Sequence, residues 1–192
     1  MADRLSLLAE LERYAPADER EASMVAQLRA FVAANPDCFE RTLADGHVTG
    51  SAWVVDRAGE AALLTHHRKL GKWLQLGGHA DGDADVRRVA LREALEESGL
   101  ERIALASDAI YDVDVHEIPA RTGEPAHLHY DVRFAFFAER DDAPAASDES
   151  HAVAWVPLAA IEGYAIDDSV RRLVAKTPAL VAGDATARCR RL

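Results

Sequence analysis

The sequence predicts an α/β fold in which a mixed sheet lies between layers of helices and follows an N-terminal helical extension. Three patterns predict it. Apolar residues recur at helical spacing over residues 2–43, period-two strand patterns begin at residue 47, and an amphipathic helix interrupts the strands between Asp85 and Gly99. The predicted organisation is an N-terminal helical extension (1–45), a main domain (46–182) and a basic C-terminal tail (183–192).

The N-terminal extension is predicted to be a pair of amphipathic helices. Two apolar runs are separated by Pro16, and Asn35 with Pro36 ends the second. The runs contain Leu5, Leu8 and Leu11, then Met24, Val25, Leu28, Phe31 and Val32. Two interpretations stay open: the helices pack on the main domain as a structural extension, or they form a homodimer contact or a lid.

The main domain is predicted to alternate strands with one central helix. Apolar and polar residues alternate along each predicted strand, and turn residues lie between the strands. The predicted strands are 47–55, 61–66, 110–118, 127–138 and 152–156, with a strand-like run from Trp73 to His79 and a last helix at 168–176.

Composition and charge limit the classes of function. The chain has 192 residues, 49% hydrophobic and 29% charged, and it lacks the run of ~18 apolar residues that a membrane span requires. Its formal charge of −11 argues against non-specific binding to nucleic acid or anionic membrane. Cys38 and Cys189 lie in no paired metal motif, and the N-terminus has no apolar signal core. We therefore expect a cytoplasmic protein with reduced thiols.

Three carboxylates crowd the end of the central helix. Glu93, Glu96 and Glu97 stand at i, i+3 and i+4, so they share one helical face, where they repel each other. They also lie next to the helix stop at Gly99, where the dipole disfavours anions. A solvated acidic face is one interpretation. The other is a site for a hard divalent cation such as Mg²⁺, whose preferred ligands are oxygens.

This segment resembles the signature of the Nudix hydrolases, which reads Gly, five residues, Glu, seven residues, then Arg-Glu-apolar-x-Glu-Glu-x-Gly-apolar. The positions that match are Gly78, Arg92, Glu93, Ala94, Glu96, Glu97, Gly99 and Leu100. The resemblance implies an α/β/α sandwich with a mixed sheet. It also implies a pyrophosphohydrolase that cleaves small-molecule diphosphates.

The resemblance further implies a set of site residues. Glu93, Glu96 and Glu97 would hold Mg²⁺, or Mn²⁺ in its place. Gly78, Arg92 and Gly99 would support the site. A catalytic base in this family often comes from a loop late in the sheet, where Glu149 is the residue we would choose, with Glu93 as the alternative.

Two positions depart from the signature: Ala84 replaces its first Glu, and Leu76 replaces the Pro that usually precedes the glycine pair. In the family, that Glu braces the Arg of the Arg-Glu pair, so Arg92 needs another partner here. The candidates are Asp81, Asp83, Asp85 and Glu96.

The aspartates before the helix do not form a calcium loop. An EF-hand that began at Asp81 would need Gly and Glu where this chain has Val86 and Arg92. Asp85 is better placed to cap the helix that follows, which buries Val86, Val89, Ala90 and Ala94.

One face of the strand at 127–138 is ionisable. Alternation places His127, His129, Asp131 and Arg133 on one side of it. Three interpretations stay open: a wet sheet face, the lining of a substrate cleft that also includes His79, or a transition-metal centre built from His127, His129 and His79.

Three function classes remain. The leading one is a Mg²⁺-dependent hydrolase that cleaves the diphosphate linkage of a nucleoside diphosphate derivative or a similar small molecule. An isoprenoid-diphosphate isomerase would share the fold, but neither Cys38 nor Cys189 lies on a plausible active-site strand. A non-catalytic nucleotide-sensing module is favoured by Ala84 and opposed by the three retained glutamates.

Overall fold

The structure, a computed structural model, describes residues 3–121, 123, 125–140, 143–145 and 150–189. The elements are α1 (Arg4–Arg13), α2 (Glu19–Ala34), β1 (Gly46–Val55), β2 (Ala61–His67), β3 (Lys72–Leu74), β4 (Leu76–His79), α3 (Val86–Ser98), β5 (Ala104–Leu105), β6 (Asp112–Ile118), β7 (His127–Phe137), β8 (Ser150–Pro157), a 3₁₀ helix (Leu158–Gly163) and α4 (Asp168–Cys189). In the described part of the chain, no helix combines the length and apolarity needed to cross a bilayer.

The chain divides into two compact units. Unit one comprises residues 1–51, 77–91 and 109–134, and unit two comprises residues 52–76, 92–108 and 135–192. Four elements, β1, β4, α3 and β7, contribute residues to both units because each element contains a boundary between them.

The N-terminal helices pack inside unit one. Asp3 and Asp18 cap α1 and α2 by accepting backbone N–H groups of the first turn. On the apolar side of α2, the Phe31 ring stacks on Tyr130 of β7 with 4.0 Å between ring centroids. Glu21, fully buried in α2, accepts from the hydroxyl of Tyr14 and from two backbone N–H groups. These contacts support the structural interpretation of the extension.

The strands of unit one place polar residues opposite one another. β6 and β7 pair antiparallel, with Asp112 opposite Arg133, Asp114 opposite Asp131 and His116 opposite His129. β4 pairs with β1. The approach of β4 to β1 is close enough to require glycine, because a Cβ on Gly77 would lie 2.7 Å from the Cα of Ser51.

Unit two is built around β2. This strand pairs antiparallel with β1, β3 and β8, and β5 pairs with the end of β7. α4 is tied to β1 where the Trp53 indole N–H donates to the hydroxyl of Thr177 over 3.0 Å. That hydroxyl donates in turn to the Leu173 carbonyl, so the buried polar atoms are satisfied.

The α/β fold with a mixed sheet and N-terminal helices, predicted from the sequence, is confirmed. The boundaries differ in three places. The predicted strand-like run from Trp73 to His79 is two strands, β3 and β4, the short strand β5 was not predicted, and α4 continues past Pro178 to Cys189 instead of ending at Lys176. The division into extension, main domain and tail stays a prediction.

We expect Gly77→Ala to lower the free energy of unfolding by about 1–3 kcal/mol, the usual cost of forcing extra volume into a packed region. The new methyl would meet the Ser51 side chain, whose hydroxyl would lie only 2.3 Å away. Urea unfolding measures the loss. Gly163→Ala is the matched control, because a Cβ there meets nothing within 4 Å. Equal stabilities for the two variants would contradict the close approach.

Candidate active site

The helix that carries the Nudix-like glutamates has well-defined ends. Asp85 accepts the N–H of Arg88 on its carboxylate and the N–H of Val89 on its carbonyl, so it caps α3 as predicted. Gly99 ends the helix with a left-handed φ of 67°. The predicted apolar face, which is Val86, Val89, Ala90 and Ala94, is buried. The glutamates therefore lie on the polar side of the last two turns.

Glu93 and Glu97 are half-buried, whereas Glu96 is exposed. Within the described residues, the carboxylate oxygens of these three glutamates do not all lie within 4.8 Å of one another. Their donor chemistry fits Mg²⁺, because all three offer carboxylate oxygens and a shared helical face keeps them within mutual reach.

Arg92 pairs with a residue other than the four proposed from the sequence. Its guanidinium donates to the Glu93 carboxylate over 2.8 Å. The sequence did not indicate Glu93 as a partner, and the predicted pairing of Arg92 with Asp81, Asp83, Asp85 or Glu96 stays a prediction. Adjacent residues do not share a helical face, which is why periodicity did not indicate this pair.

The aspartates before α3 pair with other arginines. Asp81 binds Arg41, and Asp83 binds Arg88 with N–O distances of 2.8 and 2.6 Å. Ala84, at the position of the missing glutamate, lies near Leu7 of α1 and Phe134 of β7. Gly78 and His79 are half-buried in β4. Glu149 lies outside the described residues.

The ionisable face of β7 is buried, so its interpretation as a wet sheet face was wrong. Arg133 is 1% exposed and contacts three carboxylates, with N–O distances of 2.7 Å to Asp131, 3.2 Å to Asp112 and 3.4 Å to Asp114. Burial lowers the pKa of Arg133, but the three carboxylates more than offset this effect and its pKa is raised.

Asp131 anchors this ion cluster to β1. Its carboxylate accepts from the hydroxyl of Thr49 over 2.9 Å and from that of Ser51 over 2.8 and 3.0 Å. Asp131 and Arg133 therefore bind each other and their neighbours, which indicates a structural role. Their predicted part in substrate binding stays a prediction.

A cluster of histidines lies in unit one beside the ion cluster. His47 of β1, His127 and His129 offer ring nitrogens that all lie within 4.8 Å of one another. The ring of His79 is 5.0 Å from that of His47 and 5.2 Å from that of His129, measured between centroids. Two of the interpretations left open by the sequence grouped His79 with His127 and His129, and His47 was missed.

Burial favours the neutral form of His47 and of His129. It lowers the pKa of His47 to about 4, with the neighbouring His79, His127 and Arg41 adding to the effect and Asp81 opposing it. Burial likewise lowers the pKa of His129 to about 2, helped by the four histidines around it. A neutral imidazole keeps one nitrogen lone pair, which can accept a hydrogen bond or bind a metal.

A comparison with models of known families shows which family this chain belongs to. Residues 46–176 match the model of the NUDIX domain. The chain belongs to the Nudix family. The match contains the whole predicted signature, from Gly78 to Leu100, so the resemblance noted in the sequence is confirmed. No curated protein matches the sequence.

Two solved structures with a TM-score of 0.50 agree with this Nudix assignment at the level of the fold. A C. elegans Ap4A hydrolase in a binary complex is 20% identical, with a TM-score of 0.50 over 71% of this chain and 98% of that one. The E. coli dihydroneopterin triphosphate pyrophosphohydrolase is 15% identical, with a TM-score of 0.50 over 67% and 92%. A NUDIX family hydrolase from Clostridium perfringens is 22% identical, with a TM-score of 0.47 over 70% and 95%.

The predicted enzyme class, a Nudix-type hydrolase, is confirmed by the family. Family membership gives no substrate, because one fold serves many substrates. The individual site residues therefore stay predictions.

Proposed function

We propose that this Nudix hydrolase cleaves the diphosphate linkage of a nucleoside diphosphate derivative or a similar small molecule, and that it requires Mg²⁺. The observation that carries the proposal is the retention of Glu93, Glu96 and Glu97 on one face of α3, inside the matched family region. Two structures of similar fold are named as hydrolases of Ap4A and of dihydroneopterin triphosphate. Both names support a phosphorylated small-molecule substrate.

The three glutamates would hold the ion. Bound there, Mg²⁺ would supply positive charge that neutralises the phosphate oxygens and makes water a better nucleophile. Mn²⁺, a hard ion with the same preference for oxygen ligands, is the expected substitute. The formal charge of −11 on the chain makes such a cation necessary for an anionic substrate to approach.

Arg92 is placed to orient Glu93. The side chain of Glu93 is 18% exposed and its carboxylate is held by the charge-assisted bond from Arg92. Holding one carboxylate in place lowers the ordering cost of binding a cation or positioning a water molecule. The same bond gives Arg92 a carboxylate partner where Ala84 replaces the glutamate of the family signature. Gly78 and Gly99 are proposed to support the same site.

A panel assay tests the proposal. The purified protein is incubated with Mg²⁺ and a set of nucleoside diphosphate derivatives, dinucleoside polyphosphates and nucleoside triphosphates, and released phosphate and nucleotide are measured. We expect turnover of at least one compound that stops when EDTA is added. Tight nucleotide binding without turnover across the panel would instead support the sensing module.

The catalytic base is a separate question, and Glu149 is our first choice. If it removes the proton from the attacking water, Glu149→Gln should lower kcat about 10²–10⁴-fold while KM changes little. Steady-state kinetics on the best substrate of the panel measure both constants. Full turnover by Glu149→Gln would exclude this residue and leave Glu93 as the base.

The isomerase alternative is disfavoured by the buried thiol of Cys38. Burial raises the pKa of Cys38 to about 11, so its thiol stays protonated and unreactive at neutral pH. Cys189 lies at the end of α4. The proposal also places the protein in the cytoplasm and includes a homodimer. It further assigns substrate contacts to His79, His127 and His129.

A further inference from the structure

We propose that His47, His127 and His129 form a binding site for a borderline transition-metal ion, Zn²⁺ in the first instance, that is distinct in its ligands from the carboxylates of α3. The three side chains come from β1 and β7 of unit one. Imidazole nitrogens suit Zn²⁺, whereas Mg²⁺ takes oxygen ligands. Because the histidine site should prefer Zn²⁺ and the glutamate site Mg²⁺, the two sites can be tested separately.

The spacing of two of the nitrogens matches a shared ion. Nε2 of His127 lies 3.3 Å from Nε2 of His129. Two nitrogens bound at ~2.0–2.1 Å to one tetrahedral Zn²⁺ lie roughly 3.3–3.4 Å apart. A ring nitrogen of His47 lies within 4.8 Å of both, so a small movement of this ring completes a three-nitrogen set.

The ring of His127 is held by a backbone hydrogen bond on the nitrogen that faces away from His129. Its Nδ1 lies 3.0 Å from the carbonyl oxygen of Pro125. A carbonyl oxygen can only accept, so Nδ1 carries a hydrogen, and in a neutral ring Nε2 is then the nitrogen that keeps its lone pair. Nε2 is the atom that faces His129. A backbone acceptor on the far nitrogen is the usual support for a histidine that binds metal.

His47 provides an independent observation. Its side chain is 2% exposed, and neither Nδ1 nor Nε2 has a hydrogen-bond partner. An unsatisfied buried polar atom is costly, and most native structures avoid it. A metal ion between His47, His127 and His129 would satisfy one of these nitrogens with a coordinate bond.

The ion cluster next to the histidines supplies the matching charge. In their ionised forms, Asp112, Asp114 and Asp131 carry three negative charges against the single positive charge of Arg133. In the pairing of β6 with β7, the next pair on this face after Asp114 and Asp131 is His116 and His129. A divalent cation on the histidines would therefore balance the two excess negative charges. The fourth position of the ion is left for water or for His79, whose ring lies beside His47 and His129.

Metal binding is measured directly on the full-length protein after treatment with a chelator. Zn²⁺ is titrated against a chromophoric competitor, and X-ray absorption at the zinc edge gives the ligands. We expect one tight site per chain, with nitrogen scatterers at about 2.0–2.1 Å and the outer-shell pattern of imidazole. Co²⁺ at the same site should give the intense visible bands of four-coordinate cobalt.

The variants separate the site from adventitious binding. His47→Asn and His129→Asn should each weaken Zn²⁺ binding by at least about 100-fold, the upper end of the loss when only a supporting hydrogen bond is removed. His151→Asn, a change of an exposed histidine on β8, is the matched control and should keep full affinity. Glu97→Gln should also keep the Zn²⁺ site, because it alters only the carboxylate set.

Several results would overturn the proposal. They are the absence of a tight site, an oxygen-only zinc environment, or equal affinities for His129→Asn and His151→Asn. Circular dichroism of each metal-free variant establishes whether it is folded. Should His47→Asn fail to fold, the X-ray absorption spectrum of the unaltered protein and the Zn²⁺ affinity of His129→Asn still decide the question, because His129 is only half-buried.

Discussion

Glu97→Gln is expected to lower kcat/KM for Mg²⁺-dependent hydrolysis by about 10²–10³-fold or more, the size of the loss when one charge-stabilising group is removed from an active site. The change would remove one of the three proposed anionic ligands and leaves the shape of the side chain intact. The half-buried carboxylate lies on the last turn of α3, where it makes an unfavourable interaction with the helix dipole. The variant should therefore be folded and at least as stable as the parent.

The measurement is steady-state hydrolysis over a range of Mg²⁺ concentrations. Loss of a ligand raises the Mg²⁺ concentration needed for half-maximal activity, whereas a purely structural defect does not. Glu101→Gln is the control, because Glu101 is an exposed glutamate just beyond the helix. If the two variants have the same activity and the same Mg²⁺ dependence, the metal site lies elsewhere.

Arg133→Met is expected to lower the free energy of unfolding by about 3–5 kcal/mol, the usual cost of removing one partner from a buried ion pair. The substitution keeps most of the apolar volume but leaves Asp112, Asp114 and Asp131 buried without their shared cation. A loss of this size is a large fraction of the stability of an ordinary domain. Urea unfolding at neutral pH measures it.

Arg171→Met is the matched control for this prediction. Arg171 also pairs with two carboxylates, Glu162 and Asp168, but its side chain is 43% exposed. Exposed pairs contribute about 0–1 kcal/mol. If Arg133→Met does not fold, Asp114→Asn is the milder change, since it leaves Arg133 with two carboxylates. A cost for Arg133→Met no greater than that for Arg171→Met would contradict a tightly coupled buried cluster.

The central helix could be predicted closely because its determinants are local. Asp85 and Gly99 mark its ends through side-chain capping and left-handed backbone, and Val86, Val89 and Ala90 mark its buried face through spacing. Each of these signals lies within a few residues of the structure that it determines. The family signature lies in the same segment, and for this reason fold and family were both predictable.

The histidine and ion clusters could be predicted only in part because their partners are distant in the chain. The period-two pattern of β7 placed His127, His129, Asp131 and Arg133 on one face of the strand. It cannot indicate whether that face is buried. The partners come from the neighbouring strand β1, where Thr49 and Ser51 bind Asp131 and where His47 joins the other histidines. No local pattern connects residues some eighty positions apart.

The end of α4 was mispredicted for a different reason. Proline in a helix interior removes one backbone hydrogen bond and usually ends or bends the helix. α4 nevertheless continues through Pro178. Thr177, the residue before this proline, is buried and bonded to Trp53 and to the Leu173 carbonyl. The tertiary bond with Trp53 and the local bond to Leu173 within α4 favour the helical conformation more than the proline disfavours it.

His127, His129, Asp131 and Arg133 all lie on one face of β7. The length of this strand is therefore more strictly constrained than its composition. Side chains point to opposite sides at every second residue, so an insertion or deletion of one residue after His127 would move Asp131 and Arg133 to the apolar side. The same event would separate the histidines from each other. Related chains should therefore vary in length in the turn between β6 and β7 and keep the strand itself free of gaps.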